Sequence, residues 1–270
     1  VPESDVVISN KLGWRRIPLT AAEPSFEPGV WKGIKHDAEQ AIGYEGILAC
    51  WEQGNELLGP GYRAELLSVH DPDEYLAAAT DAADRERRYR DVIDAYRALG
   101  DLKRERKAKA IGIGSKDWRV IREVAETVDF DWVMFAGSFT LYTHPKEVRS
   151  CMAHLASDGV FIINSAVFNS GFLVGSDYFD YRPVTREDDP DLFLWRDRFR
   201  GLCTRYGVKP AEACVEFGLA PAAVSSIAMN TTRPGRVADN LAAIAGRAPS
   251  EFWSACLADG LIEVTPGEVR

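Results

Sequence analysis

A lysine and a histidine stand at places in this sequence where apolar strands are predicted. Lys11 lies inside the apolar run 6–12, and His70 follows the run 64–69. A buried ammonium group is costly unless it has a partner, so a lysine in such a strand usually has a chemical role. A neutral imidazole can polarise a carbonyl or orient an alcohol by donating one ring hydrogen. The pair predicts acid–base chemistry on a carbonyl or an alcohol, while a structural ion pair for Lys11 and a packed core histidine for His70 stay open as alternatives.

Two polar loops follow later apolar runs, and both are candidates for binding an anion. The loop at 164–173 holds Asn169, Ser170 and Gly171, whose backbone amides and side chains can approach a pyrophosphate closely. The second loop, 229–240, leads into a helix start, where anions bind well. Its polar residues are Asn230, Thr231, Arg236, Asp239 and Asn240. A plain β-to-α turn explains the first loop equally well, and helix capping by Thr231 or Thr232 explains the second.

The elements that must position these residues are apolar strands that alternate with helices. Strands are predicted at 6–12, 64–69, 108–114, 132–139, 160–167 and 224–228. Helical patterns of about ten residues or more between them are typical of parallel βαβ units. Because polar residues cluster just past the strand ends, an α/β barrel of the (β/α)8 TIM type is favoured over an open doubly wound sheet. We expect one domain over residues 1–270, with the first βα units missing from this chain because six units cannot close a barrel of eight.

Composition excludes several classes of partner. The 270 residues carry a formal net charge of −9, which argues against a nucleic-acid surface. No apolar run approaches the roughly 20 residues that span a bilayer. The five cysteines have no spacing typical of metal ligands, so we expect free thiols in a reducing compartment, a cytoplasmic location and no metal.

The motifs together resemble those of the aldo/keto reductases, in particular their sugar dehydrogenase branch. The motifs are Ile-Ser-Asn-Lys-Leu-Gly at 8–13, His-Asp-Pro-Asp at 70–73, Phe-Asn-Ser-Gly at 168–171 and Arg-Val-Ala-Asp-Asn at 236–240. The resemblance implies a barrel that binds a nicotinamide cofactor and uses a tetrad of Asp, Tyr, Lys and His. Lys11 and His70 match the lysine and the histidine of that tetrad. Its aspartate and tyrosine are expected upstream of residue 1.

The resemblance also implies roles for the loops. Ser115 would contact the carboxamide of the cofactor, and both polar loops would bind its phosphates. Asn230 stands where relatives that prefer NADP often have a lysine, which leaves Arg236 as the main charge for a 2′-phosphate and favours NAD, with NADP second. Aromatic residues near strand ends are expected to contact a sugar-like or pyridoxal-like substrate: Trp14, Trp118, Tyr142 and Phe168. The insertion before Trp31 is expected to form part of a lid.

Three functions are therefore compared. The first is hydride transfer between a nicotinamide cofactor and an aldose or a related alcohol or carbonyl. The second is a barrel lyase or isomerase in which Lys11 forms a Schiff base and the last loop holds a phosphate. The third is a non-catalytic barrel subunit that binds a dinucleotide. The sequence leaves the oligomeric state open between a monomer and a homo-oligomer.

Overall fold

The computed structural model describes residues 5–26, 33–231 and 233–269. The strands are Ser9–Leu12 (β1), Trp14–Pro18 (β2), His36–Gln40 (β3), Leu66–His70 (β4), Ala110–Ser115 (β5), Trp132–Ala136 (β6), Phe161–Ser165 (β7), Tyr178–Phe179 (β8), Arg182–Pro183 (β9) and Val224–Ala228 (β10). The helices are Tyr44–Leu58 (α1), Pro72–Ala77 (α2), Ala82–Arg104 (α3), Trp118–Ala125 (α4), Lys146–Ser157 (α5), Pro190–Tyr206 (α6), Pro210–Gly218 (α7), Arg236–Ala245 (α8) and Ser250–Ala258 (α9). The chain divides into two compact units, residues 1–134 and 135–270.

The first unit is built on parallel strands. β4 pairs in parallel with β1 on one side and with β5 on the other, and β6 follows β5. Leu12 pairs with Val69, and both are buried. Because side chains alternate between the two faces of a strand, Lys11 and its partner Ser68 lie on the opposite face. His70 shares that face with Ser68, two residues further along β4.

The second unit repeats the parallel pattern. β7 lies next to β6 and pairs in parallel with β10. Its core is aromatic, and the rings of Phe139 and Phe217 stack with their centroids 5.3 Å apart. The amide nitrogen of Asn164, which is fully buried in β7, donates to the carbonyl oxygens of Phe139 and Gly218, both at 2.9 Å. This amide joins the loop after β6 to the end of α7.

The burial predicted for the first strand is wrong. The strand starts at Ser9 rather than at residue 6, and the side chain of Lys11 is exposed rather than buried. Within the residues that the structure describes, β1 has a single neighbour, β4, so it is an edge strand with one open side. A chemical role for Lys11 therefore rests on its position beside the strand that carries His70, and not on burial of its ammonium group.

The cysteines agree with the prediction, whereas the segment after the first strand differs from it. All five cysteines are free and buried, as predicted. The described residues of the proline-containing insertion at 18–28 begin at the end of β2 and precede β3 in the chain. The antiparallel pairing of β2 with β3 was not predicted. Trp31 and Thr232 lie outside the described residues, and the lid role of the insertion before Trp31 stays a prediction. Across the part of the chain that the structure describes, no helix has the length and apolarity needed to cross a membrane.

Candidate active site

His70 ends β4 with its imidazole largely enclosed. Burial, followed by the charges of Lys11 and Lys116, lowers the pKa of His70 to about 3. The ring is therefore neutral near pH 7, as is needed for donating a hydrogen bond to a carbonyl without adding a charge. Lys11 pairs with Ser68 in the register of β1 and β4, and His70 lies two residues further along β4, so both groups lie on the same face of the sheet. The structure thus brings the two predicted catalytic residues together.

Asp71 adds a carboxyl group that sequence analysis did not assign to the site. Its Oδ2 lies 3.3 Å from Nε2 of His70 and accepts a hydrogen bond of 3.1 Å from the indole Nε1 of Trp14. Burial and the neighbouring Glu74 raise the pKa of Asp71 to about 6. Trp14, predicted to contact substrate, is thereby placed beside the imidazole. Its role toward substrate stays a prediction.

The loop after β5 is held by Asp73, which lies two residues after Asp71. Oδ2 of Asp73 accepts from the backbone N–H groups of Lys116 at 3.1 Å and Asp117 at 2.9 Å. The hydroxyl of Ser115 is buried and donates to the carbonyl oxygen of Asp117 at 3.0 Å, so its donor is already in use. The ammonium group of Lys116 lies 2.6 Å from Glu74 and acts on both His70 and Asp71. The predicted contact between Ser115 and the cofactor stays untested, and Lys116 is the charged group that the sequence analysis missed.

In the second unit, the loop after β7 turns sharply. Asn169, Ser170 and Gly171 have φ angles of 47°, 57° and 88°. The N–H groups of Asn169 and Gly171 donate to Ala166 and Phe168 within the loop, so these two amides are not available to a pyrophosphate. Oδ1 of Asn169 is buried and has no hydrogen-bond partner among the described residues. Ser170 accepts a bond from the N–H of Tyr181 and keeps its own O–H to donate.

The start of α8 forms the second polar group of this unit. Asn230, Thr231, Arg236 and Asp239 are exposed, and Asn240 is half-buried. Thr231 makes a local turn with Arg233 rather than a helix cap, and no side chain among the described residues caps α8. The N–H groups of Arg236 and Val237 donate to the carbonyl oxygens of Arg233 and Pro234, so they are already in use. The exposed guanidinium group of Arg236 is the donor at this helix start that suits a phosphate group of a dinucleotide.

The remaining predicted substrate contacts are aromatic. Trp118 is buried at the start of α4, and the guanidinium groups of Arg119 and Arg122 each lie 5.1 Å from its ring centroid. This packing favours a structural role for Trp118. Tyr142 is half-buried and makes edge contacts with Phe179 and Trp195, and Phe168 is also half-buried. The roles of Trp118, Tyr142 and Phe168 toward substrate remain predictions.

The fold and the site together define a class of protein. Parallel strands followed by helices, a lysine beside a histidine at a strand end, and an exposed arginine at the helix start after the last strand are typical of α/β barrel enzymes that bind a phosphate-bearing cofactor. The family model for the aldo/keto reductase family matches residues 1–258. The chain belongs to the aldo/keto reductase family. Its members are NAD(P)-dependent oxidoreductases, so the Schiff-base lyase alternative is not favoured.

Curated relatives extend the match over nearly the whole chain. The chain is 26% identical to pyridoxal 4-dehydrogenase of Microbacterium luteolum over 263 residues, which are 95% of this chain and 74% of the relative. It is 29% identical to D-threo-aldose 1-dehydrogenase of a Pseudomonas species over 275 residues, covering 98% of this chain and 78% of the relative.

Solved structures give the fold. The aldo-keto reductase AKR11C1 from Bacillus halodurans in its holo form matches with a TM-score of 0.60 at 14% identity, over 92% of this chain and 71% of that one. Glycerol dehydrogenase AKR11B4 from Gluconobacter oxydans matches with a TM-score of 0.62 at 15% identity, over 94% and 71%. The fold class is therefore α/β of the (β/α)8 barrel type. That the first units precede residue 1 stays a prediction.

Proposed function

We propose that this protein is an aldose dehydrogenase of the aldo/keto reductase family that exchanges a hydride between a sugar-like alcohol or its carbonyl form and NAD. The observation that carries the proposal is the position of Lys11 and His70, within the family's motifs, on the same face of adjacent parallel strands, with Nδ1 of His70 buried. The names of the two curated relatives support a small polyhydroxylated or pyridoxal-like substrate.

The residues of this chain bind and orient the substrate. Nε2 of His70 is the ring nitrogen that a substrate oxygen can reach, because Nδ1 is buried. The ammonium of Lys11 stabilises negative charge that develops on that oxygen. A bound nicotinamide supplies the hydride acceptor or donor. The guanidinium group of Arg236 would hold its phosphates, with the side chains of Asn169 and Ser170 as further polar contacts.

The choice of NAD over NADP depends on the charge near α8. Asn230 is neutral and exposed, so Arg236 is the nearest predicted cation for a 2′-phosphate. A single guanidinium binds a dianion less tightly than two cations do. We therefore propose NAD as the preferred cofactor and NADP as the weaker one. The single domain, the cytoplasmic location and the oligomeric state remain predictions.

The test is a spectrophotometric assay of nicotinamide reduction by the purified full-length protein. L-Fucose, D-arabinose and pyridoxal are each offered with NAD and with NADP. We expect turnover with at least one of them, faster with NAD, and loss of turnover in Lys11→Met and His70→Gln. Lys109→Met is the matched control, because Lys109 is an exposed lysine paired with Glu65. Tight NAD binding with no turnover of any substrate would instead support the non-catalytic subunit.

A further inference from the structure

The environment of His70 is asymmetric in a way that limits its chemistry. Nδ1 is buried, has no hydrogen-bond partner among the described residues, and faces the Cα side of Gly114. Nε2 lies 3.3 Å from Oδ2 of Asp71. One ring nitrogen is thus enclosed, and the other is shared between a carboxyl group and any substrate that enters.

Asp71 is held in place for this contact by three features. Its backbone has a φ of 52°, in the left-handed region that non-glycine residues seldom adopt. Its N–H donates to the carbonyl oxygen of Gly114 at 3.1 Å, and its Oδ2 accepts from the indole of Trp14 at 3.1 Å. Aspartate adopts this region more readily than most residues, so the two hydrogen bonds, rather than strain, fix Asp71 beside the imidazole of His70.

We propose that Asp71 is a positioning residue that sets the tautomer of His70: as a carboxylate it accepts the Nε2–H of the imidazole, and once protonated it donates its O–H to Nε2, so that the ring hydrogen moves to Nδ1. One proton enters the pair in this change, and no other group is altered. Because a substrate oxygen can reach only Nε2, an entering carbonyl can share or replace the carboxylate as the acceptor of the Nε2–H in the first state. In the second state Nε2 carries no hydrogen, so the ring cannot donate to a carbonyl.

The charges around the pair favour this outcome over formation of an imidazolium. Lys11 and Lys116 both oppose a positive charge on His70. Glu74 and Asp73 oppose a negative charge on Asp71, while Lys116 and the hydrogen bond from Trp14 favour it, and burial disfavours both charges. The added proton therefore goes to the carboxyl group. Because the two groups are in contact, the transition belongs to the pair, and it falls near the raised pKa of Asp71, at about 6.

The test is ¹⁵N nuclear magnetic resonance of the histidine rings between pH 5 and 8, which distinguishes the two neutral tautomers and the imidazolium directly. The chain has four histidines, so His70→Gln assigns the relevant signals. We expect His70 to change from the Nε2–H to the Nδ1–H tautomer as the pH falls through about 6. His144 is an internal control, since its Nε2 accepts from the N–H of Glu263 at 2.9 Å and it should keep the Nδ1–H form.

Variants separate this proposal from a purely structural role of Asp71. Asp71→Asn keeps an oxygen for Trp14 but takes up no proton, so His70 should stay Nε2–H throughout the pH range. Trp14→Phe removes a donor to the carboxylate and should move the change to higher pH. Glu74→Gln removes a nearby negative charge and should move it to lower pH. A His70 ring in the wild-type protein that becomes imidazolium, or that keeps one tautomer throughout, would overturn the proposal.

The kinetic consequence rests on the proposed function. In the wild-type protein, kcat/KM for carbonyl reduction should fall about tenfold per pH unit below the transition, and this fall should disappear in Asp71→Asn. The resonance measurement needs no turnover, so the two failures can be told apart. A tautomer change without activity on any substrate refutes the enzyme assignment alone, whereas activity with an unchanged tautomer refutes the role of Asp71 alone.

Discussion

Arg196 anchors the loop that carries the candidate cofactor residues of the second unit, and its removal provides a quantitative test. The side chain is 5% exposed and its guanidinium donates to the carbonyl oxygen of Ser176 at 2.7 Å. It also lies 4.2 Å and 4.4 Å from the ring centroids of Phe172 and Phe193. These contacts hold the segment that directly follows Asn169.

The cost of Arg196→Met follows from these contacts. A hydrogen bond from a charged donor is worth about 1.5–3 kcal/mol, and a cation–π contact adds about 0.5–2 kcal/mol. Two terms reduce the loss. Burial lowers the pKa of Arg196, which shows that the folded state disfavours its charge. Part of the stabilisation from the hydrogen bond and the ring contacts therefore only offsets the desolvation of the guanidinium group. Ser176 is only half-buried, so water can replace the lost donor. We expect a net loss of about 2 kcal/mol in the free energy of unfolding.

The assay is urea denaturation of the second unit's aromatic signal together with hydrogen exchange at residues 171–177. Arg198→Met is the matched control, because Arg198 lies on the same helix, is 43% exposed and pairs with Asp259. Exposed ion pairs are worth about 0–1 kcal/mol, so the control should change little. We also expect Arg196→Met to raise the KM for the cofactor more than it lowers kcat. Equal unfolding free energies for the two variants, or unchanged exchange in the loop, would refute the anchoring role.

Three further outcomes follow from the same contacts. Burial lowers the pKa of His144, so its ring resists protonation in the folded protein but not in the unfolded chain. The free energy of unfolding should therefore fall as the pH drops below about 6.5. Urea titrations of His144→Phe should show a weaker pH dependence over that range. Arg236→Ala should raise the KM for NADP by a larger factor than that for NAD, measured by steady-state kinetics. Lys11→Met should raise the pKa of His70, because it removes an ammonium that opposes the imidazolium; a resonance titration that shows no rise would contradict the assigned proximity.

Helices and buried strands were predicted well where local patterns determine them. The predicted strand at 224–228 has the same bounds as β10, and helices of eight residues or more lie between most of the predicted strands. The β2–β3 pair was missed because Trp14 pairs with Gln40, far along the chain and without a short turn signal between the strands. The exposure of Lys11 was missed because a periodic pattern cannot show whether a strand lies at the edge of a sheet.

The positions of Lys11 and His70 in the candidate site could be predicted from the sequence, whereas that of Asp71 could not. Lys11 and His70 could be placed on one face because parallel strands and a two-residue repeat determine faces. The role of Asp71 could not be inferred, since its carboxyl group is directed by a left-handed backbone and by a hydrogen bond from Trp14, 57 positions away. The sequence nevertheless contained a signal. Asp71 directly follows the motif histidine, and a carboxyl group next to a candidate catalytic residue is a candidate for a shifted pKa.

The interior face of the first unit shows why the imidazole has room at the strand end. Large aliphatic side chains, including Val69, lie on the opposite face, while Ser68 and two glycines lie on the face of His70. A Cβ on Gly112 would meet the carbonyl and ring of Trp132 at 2.3 and 2.6 Å, so the lower layer is filled by that indole. A Cβ on Gly114 would meet Nδ1 of His70 at 3.6 Å, an ordinary contact, so in the layer above it is the imidazole that occupies the space. Nδ1 is therefore enclosed against Gly114, and Nε2, which lies 3.3 Å from Oδ2 of Asp71, is the ring nitrogen left to contact a substrate.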